Sequence, residues 1–180
     1  MRREYYSASI QHFLTDTTER ILGTLLINDE FETTDLQKRA WHQEILILKD
    51  QLSFLEQGDI AFEYTIPRIG HRVDVVLITS GIIFLMEFKV GDAEYGKAMS
   101  DQVMDYALDL KYFHEASKDR LIIPIGVSTD AISRSTDLEI MDDRIGKVVF
   151  CNKSNLGGFI HKSIQHYSDD GLSMEAWLNS

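Results

Sequence analysis

Asp74, Glu87 and Lys89 are the side chains in this sequence best placed to do chemistry together. They belong to residues 72–89, which read as two apolar strands meeting at Ser80-Gly81. Glycine reaches positive φ without steric cost, so a two-residue turn there pairs Thr79 with Ile82 and fixes the register outward. That register sets Asp74 opposite Glu87, with Cβ atoms ~5 Å apart, and Lys89 projects from the same face two residues on. Carboxylate oxygens with one open side suit a hard divalent cation that also takes water and substrate phosphate. The ammonium beside them could orient or help deprotonate a water and stabilise charge on a phosphate under attack. Val75 to Ile78 and Ile82 to Met86 are apolar on both faces, so the charges lie at the end of strands inside a covered sheet. The competing interpretation is an ion-pair network that closes a sheet edge.

Two helical patterns offer further groups. Thr34 with Gln37 has the spacing of a capping box and opens a helix reaching about Leu55, whose apolar arc holds Trp41, Ile45, Leu48, Leu52 and Leu55. Glu44 lies on that arc, where a carboxylate needs a partner or a bound ion, unless it escapes at the margin to water or an arginine. A second helix, from about Lys97 to Ala116, puts Gln102 and Tyr106 on one face beside Met99, Val103, Ala107 and Leu110. Those two could bond a phosphate or a water, or be simply a solvated amide and a core aromatic. Arg68, His71 and Arg72, with no acid from Ile66 to Val73, could form a basic lip beside Asp74.

The remaining elements frame these residues. Residues 6–28 hold two short helical patterns, the second capped at Thr15/Asp16 and carrying Ile21, Leu22, Leu25 and Leu26. Asp59 to Ile66 alternates as a strand ended by Pro67, and Leu121 to Val127 is a short buried strand ahead of Ser128-Thr129-Asp130. Another strand is expected at Lys147 to Cys151 and a last helix at 154–167. The order is helix, three strands, helix, strand, with additions at both ends.

Other signals are weaker. Asp109-Leu110-Lys111 repeats the acid-x-lysine pattern, but within a helix and with no carboxylate facing it across a sheet. Gly91 to Ala98 imitates a phosphate-binding P-loop, yet Ala98 replaces the magnesium-holding hydroxyl, and Asp92 and Glu94 put negative charge where phosphates belong. The six histidines include no pair at i, i+4, the single cysteine has no ligand partner nearby, and no serine occupies a nucleophile elbow, which argues against zinc and against the commonest hydrolase signature.

With 180 residues and 44% hydrophobic content, one core and one domain are expected. Apolar stretches are too short for a membrane span and no secretion signal opens the chain, while Cys151 alone can form no internal disulfide; a reducing cytoplasm is the expected location. The net charge of −11 works against unaided binding to phosphate backbones unless metal ions or a basic partner offset it.

Asp74, Glu87-Phe88-Lys89 and Gln102-Val-Met-Asp-Tyr106 resemble the PD-(D/E)XK nuclease superfamily, in the branch with a Gln-x-x-x-Tyr motif that includes RecB-like exonucleases. More narrowly, Tyr5-Tyr6-Ser7, residues 37–45, Ile66-Pro67-Arg68, Arg72-Val-Asp74 and residues 87–91 look like the N-terminal region of large bacterial proteins with a following P-loop helicase-like domain. The resemblance implies an α/β, restriction-endonuclease-like αβββαβ core, a mixed sheet flanked by helices, with extra N-terminal helices. Residues 1–32 would be a helical extension, 33–130 the catalytic core and 131–180 a C-terminal strand and helix. It also implies Mg²⁺- or Mn²⁺-dependent phosphodiester hydrolysis, DNA being favoured over RNA. Asp74, Glu87, Glu44 and the Phe88 carbonyl would then hold the metal and Lys89 would be the catalytic lysine. Gln102 and Tyr106, with Arg68 and Arg72, would contact substrate. Val73 stands where the motif name has proline, and no helicase part is present. A role in phage defence or DNA repair is compatible with this resemblance. The rival interpretation is a catalytically weak nuclease-fold module that binds a partner protein or helicase domain.

Overall fold

The computed structural model describes residues 2–180. Its frame is a six-stranded mixed sheet in the order β1-β2-β3-β4-β5-β6, formed by β1 (Tyr6–Ser9), β2 (Asp59–Thr65), β3 (Arg72–Thr79), β4 (Ile82–Lys89), β5 (Ile122–Ser128) and β6 (Val149–Cys151). The first four strands are antiparallel neighbours, whereas β5 and β6 add in parallel. The chain is thus α/β, with helices on both faces of the sheet.

The β3–β4 turn fixes the sheet's register. Ser80 and Gly81 both have positive φ, 51° and 74°, as the mirror-image hairpin turn requires, and Thr79 pairs with Ile82 as the sequence predicts. Parallel pairing of β4 with β5 needs a crossover, supplied by α4 (Lys97–Phe113). Val103, Tyr106, Ala107 and Leu110 of α4 pack on one face of the sheet together with Met174 and Trp177 of a short terminal helix, α6 (Met174–Leu178). On the other face lie α1 (Ile10–Thr15), α2 (Thr18–Asn28), α3 (Asp35–Gln51) and α5 (Leu156–Tyr167). Thr34 caps α3 by accepting the Gln37 N–H at 3.1 Å, and Trp41, Ile45 and Leu48 bury the expected stripe.

Several expectations need correction. Residues 1–32 are not a purely helical extension, because Tyr6–Ser9 joins the sheet edge, Tyr6 pairing with Phe62 and Ser9 with Asp59. Without β1, the outer N–H and C=O groups of β2 would lack partners, a demand that helical periodicity cannot reveal. The α2 cap is Thr17, whose side chain accepts the Arg20 N–H, rather than Thr15/Asp16. α3 stops at Gln51, α4 stops at Phe113, and α6 is an element the apolar pattern did not announce. No helix among the described residues is long and apolar enough to cross a membrane.

Candidate functional site

β3 and β4 part company at the end of their ladder. Their last bridged pair is Val75 with Met86, and one step further the register puts Asp74 opposite Glu87. There side chains take over the work of the missing ladder bonds. Asp74 Oδ2 accepts the Phe88 N–H at 2.7 Å, and Glu87 Oε1 accepts the Asp74 N–H at 3.3 Å. The same register continues into β2, where Phe62–Val75 and Tyr64–Val73 bracket Glu63 opposite Asp74. Three carboxylates therefore form a row across three adjacent strands, and Gly126 of β5 continues it beyond Glu87 without a side chain.

Glu44 completes the group from α3. It is 4% exposed, and its Oε2 has no hydrogen-bond partner. Burial holds its carboxyl far above the usual range, and the negative charges of Asp74, Glu63 and Glu87 push it further. Asp74 is shifted strongly upward by burial and by Glu87, and burial also raises Glu87. Glu63 is pushed up to about 7 by burial and by Asp74, although Trp41 and Arg72 oppose the shift. Trp41 Nε1 donates to Glu63 Oε1 at 3.0 Å, and Arg72 Nε reaches Glu63 Oε2 at 3.1 Å.

Glu63 was not foreseen. It has the unusual φ of 53°, and across it the strand changes phase, since Phe62 packs on the α3 side and Tyr64 on the α4 side. Its signal was an acid between two aromatics in a predicted strand. The six-residue connection between β2 and β3 leaves their register free, so sequence spacing does not set Glu63 against Asp74 as the tight turn sets Glu87.

These groups line an open cleft of about 500 Å³, with Lys89, Gln102 and Tyr106 on its walls. Lys89 is exposed at the end of β4, and no ion pair engages it among the described residues. Gln102 Nε2 donates to the Tyr106 hydroxyl at 2.6 Å, as their shared helix face allows. Burial and the charge of Glu87 push that hydroxyl up to about 12, so it keeps its proton and remains a donor at neutral pH.

The expected basic lip does not stand free. Arg72 is drawn inward by Glu63 and donates to the Tyr5 hydroxyl. Arg68 lies 3.7 Å from the centroid of Phe113 and 3.7 Å from Asp109. Both guanidiniums have intramolecular partners because acids and aromatic rings surround the loop. The other acid-x-lysine pattern is explained by capping: Lys111 is buried and donates to the carbonyls of Lys118 and Arg120.

The donor set fits a hard divalent cation in chemistry. All its side-chain donors are oxygens, their charges are poorly compensated, and Glu44 Oε2 is orphaned. Its geometry is not that of a metal site: among the described residues, no group of three or more His, Cys, Asp or Glu side chains is arranged to hold a metal ion. The sequence matches no family model, and neither a curated protein nor a solved structure gives a significant match to the chain.

Proposed function

We propose that this chain is a metal-dependent nuclease domain that hydrolyses phosphodiester bonds, with DNA as the expected substrate. The observation that carries the proposal is the carboxylate row Glu63-Asp74-Glu87, joined by buried Glu44, where β3 and β4 separate beside exposed Lys89. Uncompensated charge of this density is costly unless protons or a cation neutralise it. The resemblance to the PD-(D/E)XK superfamily supports the same assignment of roles.

Asp74, Glu87, Glu44 and the Phe88 carbonyl would hold Mg²⁺ or Mn²⁺. Such a cation supplies Lewis-acid polarisation of a phosphoryl oxygen and offsets negative charge that develops there. Lys89 orients the attacking water and donates to phosphate oxygens as their charge grows. Tyr106 accepts a hydrogen bond from Gln102 and thereby keeps its own O–H free to donate to the substrate backbone. Trp41 and Arg72 hold Glu63 in place and so position the row. This reading is compatible with a cytoplasmic role in phage defence or repair alongside a helicase-like ATPase.

The deciding experiment is cleavage of single- and double-stranded DNA and RNA with Mg²⁺ or Mn²⁺. Activity must disappear in folded Asp74→Ala and Lys89→Ala variants. No cleavage by the wild type under any of these conditions defeats the enzyme reading for this chain. The second reading, a partner-binding module, draws on the net charge of −11 and on exposed Tyr112 and Phe113 at the end of α4 with Ile69 nearby. It requires that partner binding survive Glu87→Ala and that calorimetry detect no Mg²⁺ site.

A further inference from the structure

We infer that Phe31 is a platform on which an unpaired nucleobase of the substrate stacks, beside the phosphate at the carboxylate cleft. This inference rests on the nuclease reading and names the kind of strand the site accepts. Phe31 is 69% exposed and shares the cleft wall with Glu44, Asp74 and Glu87. A lone exposed aromatic is ordinary on a protein surface. Three observations set this one apart.

First, the loop that carries it is tied down. Asp29 Oδ1 accepts the Phe31 N–H at 3.1 Å and the Tyr5 hydroxyl at 3.3 Å, while Asp29 Oδ2 accepts the Thr33 hydroxyl at 2.6 Å. The Glu30 N–H donates to the Tyr5 hydroxyl at 3.3 Å. The backbone at Glu30 and Phe31 and the Thr33 side chain beyond it are thus held, while the ring itself is largely exposed. Second, Arg72 spans the two rings behind this latch, 4.7 Å from the Tyr5 centroid and 5.5 Å from that of Phe31. Its charge is anchored by Glu63 of the carboxylate row, so the platform and the cleft share one support.

Third, beyond Lys89, the Tyr106 hydroxyl and a bound divalent cation, the cleft has little to hold phosphates with. The chain carries a net charge of −11, Arg68 and Arg72 are engaged internally, and Glu30 adjoins the platform. With so few cationic contacts, affinity for a strand draws in addition on a contact that does not depend on charge. Every base offers a π-face, and stacking on an aromatic side chain tolerates any sequence. Within a duplex both faces of a base are already covered by its neighbours. The platform therefore selects a base that is unpaired, at a strand end, in a loop or in a single strand.

The test uses a short fluorescein-labelled oligothymidylate, its oligouridylate counterpart, and copies of each with one abasic position moved along the strand. Binding to the full chain is followed by anisotropy with Ca²⁺ in place of Mg²⁺. Phe31→Ala is expected to weaken binding of the intact strand by roughly 5- to 100-fold, and Phe31→Trp to preserve it. In the wild type, one abasic position should reproduce that loss, with no further loss when it is combined with Phe31→Ala. Equal effects on both strands mean that only the base face is read; an effect on one identifies DNA or RNA as the source. The inference is overturned if Phe31→Ala binds like the wild type, or loses intact and abasic strands alike. A wild type that binds neither strand overturns it as well. A wild type that binds through Phe31 yet cuts nothing with Mg²⁺ or Mn²⁺ defeats the nuclease reading and leaves the platform standing.

Discussion

The Phe88 N–H donates to Asp74 Oδ2 at 2.7 Å across the gap where β3 and β4 separate. One side chain therefore serves as a backbone acceptor and as a member of a crowded group of negative charges, and two substitutions separate these roles. Asp74→Asn retains an oxygen for Phe88 and removes the charge, so the metal-free protein should melt at the same temperature or higher at pH 8. Asp74→Ala leaves the N–H without its acceptor and should cost about 1–3 kcal/mol, with a melting shift of roughly 2–4 °C per kcal/mol for a domain of this size. Both should abolish cleavage. Thermal melting beside a cleavage assay checks the pair, and an Asn variant less stable than the Ala variant would show that the charge itself is stabilising.

The carboxylate row predicts an inverted dependence of stability on pH. Glu63 has an ordinary value of 4.5 and is pushed up to about 7 in the folded protein by burial and by Asp74. A group raised in this way binds its proton more tightly when folded. Its contribution is complete below about pH 4.5 and disappears as pH rises through 7. Burial shifts Glu44, Asp74 and Glu87 in the same direction; the neighbouring carboxylates add to the shift of Glu44, and Glu87 adds to that of Asp74. In EDTA the melting temperature should therefore fall between pH 5 and pH 8. Mn²⁺ should reverse that fall, with a larger stabilisation at pH 8 than at pH 5.5 because protons compete for the same oxygens. Calorimetric melts at both pH values, with and without Mn²⁺, test this; equal Mn²⁺ effects at the two would show that the ion binds elsewhere.

Trp41→Phe isolates the support of Glu63. The indole Nε1 donates to Glu63 Oε1 at 3.0 Å inside the core, and a hydrogen bond to a charged group contributes about 1.5–3 kcal/mol. The bond favours the ionised carboxylate, so its removal should raise the Glu63 pKa still further. The loss should thus be larger at pH 8 than at pH 5, where Glu63 carries a proton in either protein. The smaller ring adds a packing loss that does not vary with pH. Urea denaturation at the two pH values measures the difference directly, and a loss independent of pH would reduce Trp41 to a packing residue.

What the sequence disclosed follows from how each contact is specified. Asp74 and Glu87 were legible because Ser80-Gly81 closes a two-residue turn, and a period of two carries that register without slippage to the strand ends. Gln102 and Tyr106 were legible because one helical turn brings them together. Glu63 escaped because the connection over residues 66–71 leaves the β2 register open, and its positive φ breaks the alternation that would have given its direction. β1 escaped because its four residues respond to the unpaired edge of β2 rather than to any pattern of their own. Arg72 lines the cleft whereas Arg68 does not, and their intramolecular partners, Phe113, Asp109, Glu63 and Tyr5, come from distant parts of the chain.

Lys89 offers the cleanest separation of fold from chemistry. It is exposed at the last position of β4 and pairs with no acid among the described residues. Lys89→Ala should thus change stability by no more than about 0.5 kcal/mol. If its ammonium orients the water and stabilises phosphate charge, cleavage should fall by roughly 10²- to 10⁴-fold. Lys89→Arg keeps the charge but spreads it over a planar fork of a different shape, so it should recover part of the rate without restoring it. Single-turnover cleavage with Mn²⁺ beside thermal melts decides the matter. An alanine variant that cuts like the wild type would remove Lys89 from the reaction, and one that fails to fold would contradict its exposed, unpaired position.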